Sequence, residues 1–314
     1  MSTIKAVFAD PSVAERLTLR DVVAPSPAPS EAVVRVAAIS LNRGETRRSL
    51  QTSTVWRPGW DLAGTVEQPA ADGSGPRAGA RVVGLLRTGA WAEQVAVPTP
   101  ALAELPDAVS FAPAATLPVA GLTALYALQK GGSLLHRAVL ITGATGGVGD
   151  FAVQLARLSG ARVVAHVRRA EQAADIKQAG ADHVVVGDDL AAAAQFGPYA
   201  LVIESVGGKS LSTALTMLAQ GGVCVSLGAS AGAEVTFDAA RFFSTGRATL
   251  YGFILFEEFG HEPAAVGLAH LAALVAAGQL IPRISVEAPW TQIADVARQL
   301  FDRSFPGKAV LHVG

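Results

Sequence analysis

Between Val139 and Phe151 the chain reads VLITGATGGVGDF: an apolar run, a turn dense in glycine, then a renewed apolar rhythm. Val148, Phe151, Ala152, Leu155 and Leu158 recur at the spacing of one helix face. Strand, glycine turn and helix in that order make an anion cradle, because N–H groups at the helix start are open and favour negative charge. The turn itself is Ala144-Thr145-Gly146-Gly147-Val148-Gly149, with Ala144 in the place of the first glycine of G-x-G-x-x-G. Gly146 lets a pyrophosphate approach the backbone, and Gly149 lets the helix pack close to the strand. The chemistry expected of this stretch is dinucleotide binding.

About twenty residues past such a turn, a site for NADH places an acid against the ribose hydroxyls. Here the second strand, RVVAHV, ends in Arg168-Arg169, and no acid appears before Glu171. Two guanidinium groups suit a 2′-phosphate. The expected cofactor is therefore NADPH, with solvation of one or both arginines as the plainer alternative.

Other reactive side chains are sparse. The single cysteine, Cys224, lies in the apolar run GVCVSLG and reads as a small core residue. One cysteine also excludes Cys-rich zinc sites. The six histidines are scattered, with none at ligand or triad spacing, so no metal is expected.

These residues must be held by a chain of 314 residues, half of them hydrophobic and 16% charged, long enough for more than one core. The formal net charge is −1 and no basic block occurs, which gives nucleic acid no electrostatic footing. MSTIKAVFAD lacks the apolar stretch of a signal peptide, and AAVGLAHLAALVAAG is too short for a membrane span and carries His270. A soluble cytoplasmic protein acting on a small molecule is the expectation.

Up to about Val97 the texture is β-rich, with alternating runs such as EAVVRVAAI broken by PSPAPS and QPAADGSGPRAGA. From about Leu117, strands at AVLITG, RVVAHV, HVVVG, ALVIESV and GVCVSLG alternate with helical segments, the pattern of a parallel sheet covered on both faces. The final stretch closes with a strand at KAVLHV. The expected fold class is thus α/β: residues 1–117 form a β-rich catalytic domain, 118–260 a doubly wound nucleotide domain, and 261–314 a return that completes the first.

Several ordered motifs carry a family resemblance: SLNRGETR (Ser40–Arg47), PGWDLAGTV (Pro58–Val66), GARVVGL (Gly79–Leu85), GAWAEQVAVP (Gly89–Pro98) and LPVAGLTALYAL (Leu117–Leu128). With the glycine turn, ESVGG (Glu204–Gly208) and the terminal GKAVLHV, they span nearly the whole chain. The sequence resembles the zinc-independent quinone oxidoreductase (zeta-crystallin-like) branch of the medium-chain dehydrogenase/reductase superfamily. That resemblance implies a GroES-like catalytic domain, a Rossmann domain, a homodimer, and hydride transfer from NADPH to a quinone or activated C=C.

The resemblance also implies that Asn42 and Thr123 lie near the nicotinamide and its ribose. Val206, Gly228, Phe253 and Ile254 line the cofactor, and Lys308 approaches it from the C-terminal return. The zinc-bearing relatives' Cys and Gly-His-Glu cluster are absent, and the usual Glu of G-x-E-x-x-G is Asp61. The Asp usual in GDRV is Ala80. Enoyl-thioester reductases often carry a Tyr after the Asn motif, whereas this chain has SLQTSTVWRP with Thr52 near that position.

A developing oxyanion or enolate needs a hydrogen-bond donor, and Asn42 is the candidate; capping a turn would explain it equally well. Trp56 is expected to wall a flat substrate and Trp60 to lie in the core. Arg43, Arg47 and Arg48 suit an acidic substrate group or, more commonly, a solvated face. Two other functions are compatible with these residues: an enoyl-thioester reductase, and an NADPH-binding protein with little turnover.

Overall fold

A computed structural model of the chain describes residues 2–314. Seven strands come first: β1 (Thr3–Ala9), β2 (Leu17–Val23), β3 (Glu31–Ser40), β4 (Asp61–Gln68), β5 (Arg81–Leu85), β6 (Gln94–Pro98) and β7 (Leu102–Glu104). Six follow: β8 (Ala138–Ile141), β9 (Arg162–Val167), β10 (His183–Val186), β11 (Tyr199–Glu204), β12 (Leu218–Ser226) and β13 (Thr249–Gly252). Two more, β14 (Ile284–Pro289) and β15 (Lys308–His312), end the order. The chain divides into two compact units, one running to Leu122 and resuming over Glu258–Gly314, the other Thr123–Glu257.

In the first unit β1 and β2 form a hairpin, and seven strands form a sheet ordered β14-β15-β3-β4-β5-β7, with β6 also paired to β3. Strand β15 runs parallel to β14 and antiparallel to β3, so the return strand sits inside the sheet. Leu62, Val82, Ile39 and Trp91 are fully buried in its core, with Trp290 and Ile293 from the return packed among them. The unit extends past residue 117 because Val119 N donates to the Asp61 carboxylate at 3.0 Å, fastening the Leu117–Gly121 turn to β4.

The second unit is a parallel sheet of six strands, ordered β10-β9-β8-β11-β12-β13. Strands β8 and β11 are buried at every residue, which is why AVLI and YALVIE read as continuous apolar runs with no alternation. The Gly147–Leu158 helix buries Phe151, Ala152, Leu155 and Ala156. Cys224 is fully buried in this core, and burial pushes its thiol well above the usual range. An inert core residue is what its apolar flanks implied.

Candidate functional site

The glycine turn leaves β8 and enters the Gly147–Leu158 helix. Its left-handed residue is Gly143 (φ +61), one position before the expected first glycine. Ala144 is completely buried with φ outside that region, so a methyl group is accommodated there. The left-handed backbone of the turn therefore falls on Gly143, the residue before Ala144. A Cβ on Gly149 would lie 2.7 Å from Ala144 Cα, so only glycine lets the helix sit on the turn. A Cβ on Gly146 would meet nothing closer than Gly143 O at 3.4 Å, which leaves that residue's outer face clear.

Gly146 is the N-cap, and no side chain caps the helix. The first-turn N–H groups of a twelve-residue helix are thereby left for an outside acceptor. Thr145 and Gly147–Val148 complete the rim. These residues fit a diphosphate.

At the end of β9, Arg168 is exposed and has no ion-pair partner among the described residues. Arg169 is also exposed and pairs with Glu171 at 3.1 Å, so the nearest acid is spent on the nearest arginine. His166 is buried, its Nε2 2.8 Å from Gly187 O, and burial lowers its imidazole below the usual value. Its backbone oxygen accepts from Ala144 N at 3.3 Å, which ties the strand end to the glycine turn.

Elsewhere in this unit Thr123 and Phe253 are buried, Val206 and Gly228 are half-buried, and Ile254 is 62% exposed. Val206 and Gly228 lie in loops that leave neighbouring strands, β11 and β12. Glu204, at the end of β11, is fully buried in the same place, a residue the motif ESVGG contained without disclosing its burial.

The first unit holds a buried polar cluster. Lys308 Nζ donates to Leu41 O at 2.9 Å, to Asn42 Oδ1 at 2.6 Å and to Asp61 Oδ2 at 3.5 Å, so all three ammonium protons are committed. Asn42 Nδ2 donates to Glu45 Oε1 at 3.0 Å and Asp61 Oδ2 at 2.7 Å. Both amide protons are thus spent inside the protein, and the donor role expected of Asn42 has no N–H left to serve it. Its position is the alternative one: N-cap of the Arg43–Leu50 helix, with Glu45 Oε1 accepting from Asn42 N at 3.0 Å. Lys308, expected to approach a cofactor, anchors that cap.

Glu45 and Asp61 are both fully buried against a single ammonium. Burial, reinforced by the Asp61 charge, raises the Glu45 carboxyl well above its ordinary range, and burial raises Asp61 as well. Burial lowers the Lys308 ammonium, opposed by the two carboxylates. Of the two acids, Glu45 is the one pushed well toward its neutral form, and its Oε2 has no hydrogen-bond partner. Neither acid announces this in sequence, since the partners lie up to 247 residues away.

Trp56 is half-buried: it bridges to Ala9, packs on the unit's core, and carries the Arg48 guanidinium over its ring at 4.1 Å. Thr52 is half-buried and its hydroxyl donates to Thr54 O at 2.7 Å. Trp60 is not a core residue; it is partly exposed, and Nε1 donates to Arg87 O at 3.0 Å. Arg43 reaches Phe301 O at 3.2 Å, tying the helix that follows Asn42 to the return. Among the described residues, no three His, Cys, Asp or Glu side chains gather in a metal-binding group, and no helix is long and apolar enough to cross a membrane.

Residues 28–107 match the family description "alcohol dehydrogenase GroES-like domain", and residues 147–272 match "zinc-binding dehydrogenase". A chloroplastic quinone-oxidoreductase homolog of Spinacia oleracea is 32% identical over 237 residues, 69% of this chain and 72% of that protein. The chain belongs to the quinone oxidoreductases of the medium-chain dehydrogenase/reductase superfamily. The synaptic vesicle membrane protein VAT-1 homolog of Rattus norvegicus is 28% identical over 326 residues, 95% of this chain and 81% of that protein. A crystal structure of Escherichia coli quinone oxidoreductase complexed with NADPH superposes with a TM-score of 0.87 at 26% identity, covering 99% and 100% of the two chains. In the terms of this superfamily the first unit is the GroES-like domain and the second the Rossmann domain, and the chain is an oxidoreductase.

Proposed function

We propose that the chain is an NADPH-dependent, zinc-independent reductase of quinones or α,β-unsaturated carbonyls. The observation that carries this reading is the uncapped, side-chain-free start of the Gly147–Leu158 helix together with the unpaired Arg168 at the end of β9. NADPH in the E. coli relative supports the same cofactor here. Thr145 to Gly149 would take the diphosphate and Arg168 with Arg169 the 2′-phosphate. Thr123, Val206, Gly228, Phe253 and Ile254 would line the rest of the cofactor.

The chemistry supplied by bound NADPH is hydride delivery to an electron-poor carbon; this chain's residues orient and shield. Thr52 and Trp56 are the candidate walls of the acceptor pocket, with Asn42 acting as a positioning residue. Every proton of the Asn42 amide and of the Lys308 ammonium is engaged, so neither group is placed to deliver the proton that completes reduction. The chain acts as a homodimer in this reading, supported by edge strand β13, which leaves Leu250 40% exposed.

The test is oxidation of NADPH, with NADH alongside, against quinones, simple enones and enoyl thioesters. Turnover confined to quinones and enones is expected. Turnover confined to enoyl thioesters, or tight NADPH binding with no turnover on any class, would overturn it.

A further inference from the structure

We propose that Glu204 is a positioning residue for the nucleotide: a buried acceptor that locks together two loops of the cofactor cradle. This rests on the NADPH reading above.

The sheet order sends the chain from β8 to β9 and β10 on one side, then back to β11, β12 and β13 on the other. The crevice outside the carboxyl ends of β8 and β11 is therefore the switch point, where open α/β sheets bind ligands. Glu204 is the last residue of β11, one step beyond Ile203, which pairs with Ile141 of β8. Its side chain is fully buried and has no ion-pair partner among the described residues.

Three donors hold it. Thr142 Oγ1 approaches Oε1 at 3.2 Å, Val206 N donates to the same oxygen at 3.1 Å, and Gly207 N donates to Oε2 at 2.9 Å. Thr142 Oγ1 in turn accepts from Ser205 N at 3.0 Å, and Ser205 Oγ donates to Thr142 O at 3.1 Å. Ser205 is wedged between glycines. A Cβ on Gly143 would stand 2.5 Å from its Oγ, and one on Gly228 would stand 2.7 Å from its carbonyl oxygen. The loops leaving β8, β11 and β12 thus meet at one point, and the Glu204 carboxyl underpins it.

A buried acid is costly even when fully hydrogen-bonded, so packing alone is a weak reason to keep one here. Its effect on the N–H inventory is specific. Two segments at this crevice lead into helices, Gly143–Gly146 and Ser205–Gly207. Neither helix start has a side-chain cap, and just ahead of the second the N–H groups of Val206 and Gly207 are taken by Glu204. The loop that leaves β11 is thereby fixed against the turn that leaves β8, and Val206 is held for the nicotinamide half.

Glutamine, though the same size, cannot replace Glu204. Each carboxyl oxygen faces a backbone N–H, so either orientation of the amide sets its NH2 against a donor. The experiment compares Glu204→Gln, Thr142→Val and Thr142→Ser with the parent enzyme. It measures Kd and KM for NADPH, kcat with a quinone, Kd for adenosine 2′,5′-bisphosphate, which lacks the nicotinamide half, and Tm. Expected are rises of about tenfold, or 1.4 kcal/mol, in Kd and KM for NADPH for Glu204→Gln and Thr142→Val. The bisphosphate should stay within about twofold of the parent, kcat should change less than KM, and Thr142→Ser should restore the parent values.

A fall in Tm with unchanged NADPH affinity would overturn the proposal, as would equal losses for NADPH and the bisphosphate. If Glu204→Gln fails to fold, Thr142→Val decides by the same two criteria. Failure of the parent enzyme itself to bind NADPH would sink the cofactor reading and this proposal with it, and is read before any variant.

Discussion

The ammonium of Lys308 donates to the amide oxygen of Asn42 across 2.6 Å, joining residues 266 positions apart in the chain. Because Oδ1 is held there, the amide cannot flip, and Nδ2 is aimed at Glu45 and Asp61. One long-range contact therefore sets the geometry of the whole cluster.

Removing the ammonium leaves two buried acids without a cation. Lys308→Met is expected to destabilise the protein by about 3–5 kcal/mol, the range for breaking a buried pair from one side. Adding Asp61→Asn should recover part of that loss, since the stranded charge is removed too. Urea unfolding of both variants checks this, and strict additivity of the two substitutions would refute it.

Glu45 predicts a pH dependence. Its folded-state carboxyl titrates well above the roughly 4.3 of an unfolded glutamate. The folded state therefore binds more protons between those two values, and the stability from this group, full below the lower one, is lost as pH rises through the upper. Glu45→Gln keeps an acceptor for Asn42 N and Nδ2 and places its NH2 where Oε2 has no partner. The variant should match the parent in Tm near pH 4.5 and exceed it by a few degrees at pH 8. Melting curves at both pH values test this; an advantage that does not grow with pH would count against it.

Two glycines in the turn should respond differently to the same methyl group. At Gly149 a Cβ would clash with the backbone of Ala144, whereas at Gly146 the nearest atom is 3.4 Å away. Gly149→Ala should lower Tm sharply and abolish NADPH binding. Gly146→Ala should leave Tm nearly unchanged while weakening NADPH, because its methyl group lies on the open face. Equal thermal effects of the two would contradict this geometry.

Arg168 is unpaired and Arg169 is engaged with Glu171. Alanine at both positions should raise KM for NADPH by tenfold or more and leave KM for NADH within about twofold. Arg168→Ala alone should account for most of the change. Matching increases for the two cofactors would show that the pair does not recognise the 2′-phosphate.

What was legible in the sequence follows from how local each cause is. Strands such as Ala138–Ile141 and Arg162–Val167 declare themselves by apolar runs, and the helix after Gly146 by its spacing, so the parallel sheet and its cradle could be read directly. The left-handed backbone at Gly143 could not be read, because a motif fixes spacing, not dihedral angles; Ala144 beside it is free to keep its methyl group. The engagement of the Asn42 amide was hidden for another reason. Its amide protons are consumed by Glu45 and by Asp61 nineteen residues on, and its oxygen by Lys308, contacts no local pattern contains. Trp60 misled through composition: tryptophan is apolar enough for a core, yet its indole N–H found a carbonyl at the surface.

Strand β15 lies between β14 and β3, so a ribosome has made β3 and the entire Thr123–Glu257 unit before the partner of Ser40 and Ile39 exists. The six-stranded sheet draws all its strands from one uninterrupted stretch and can be completed during synthesis. The β-rich unit takes the partner of the β3 edge, and the ammonium that faces Glu45 and Asp61, from the last strand of the sheet. The polar cluster draws on both ends of the chain, whereas the six-stranded sheet is made from its middle alone.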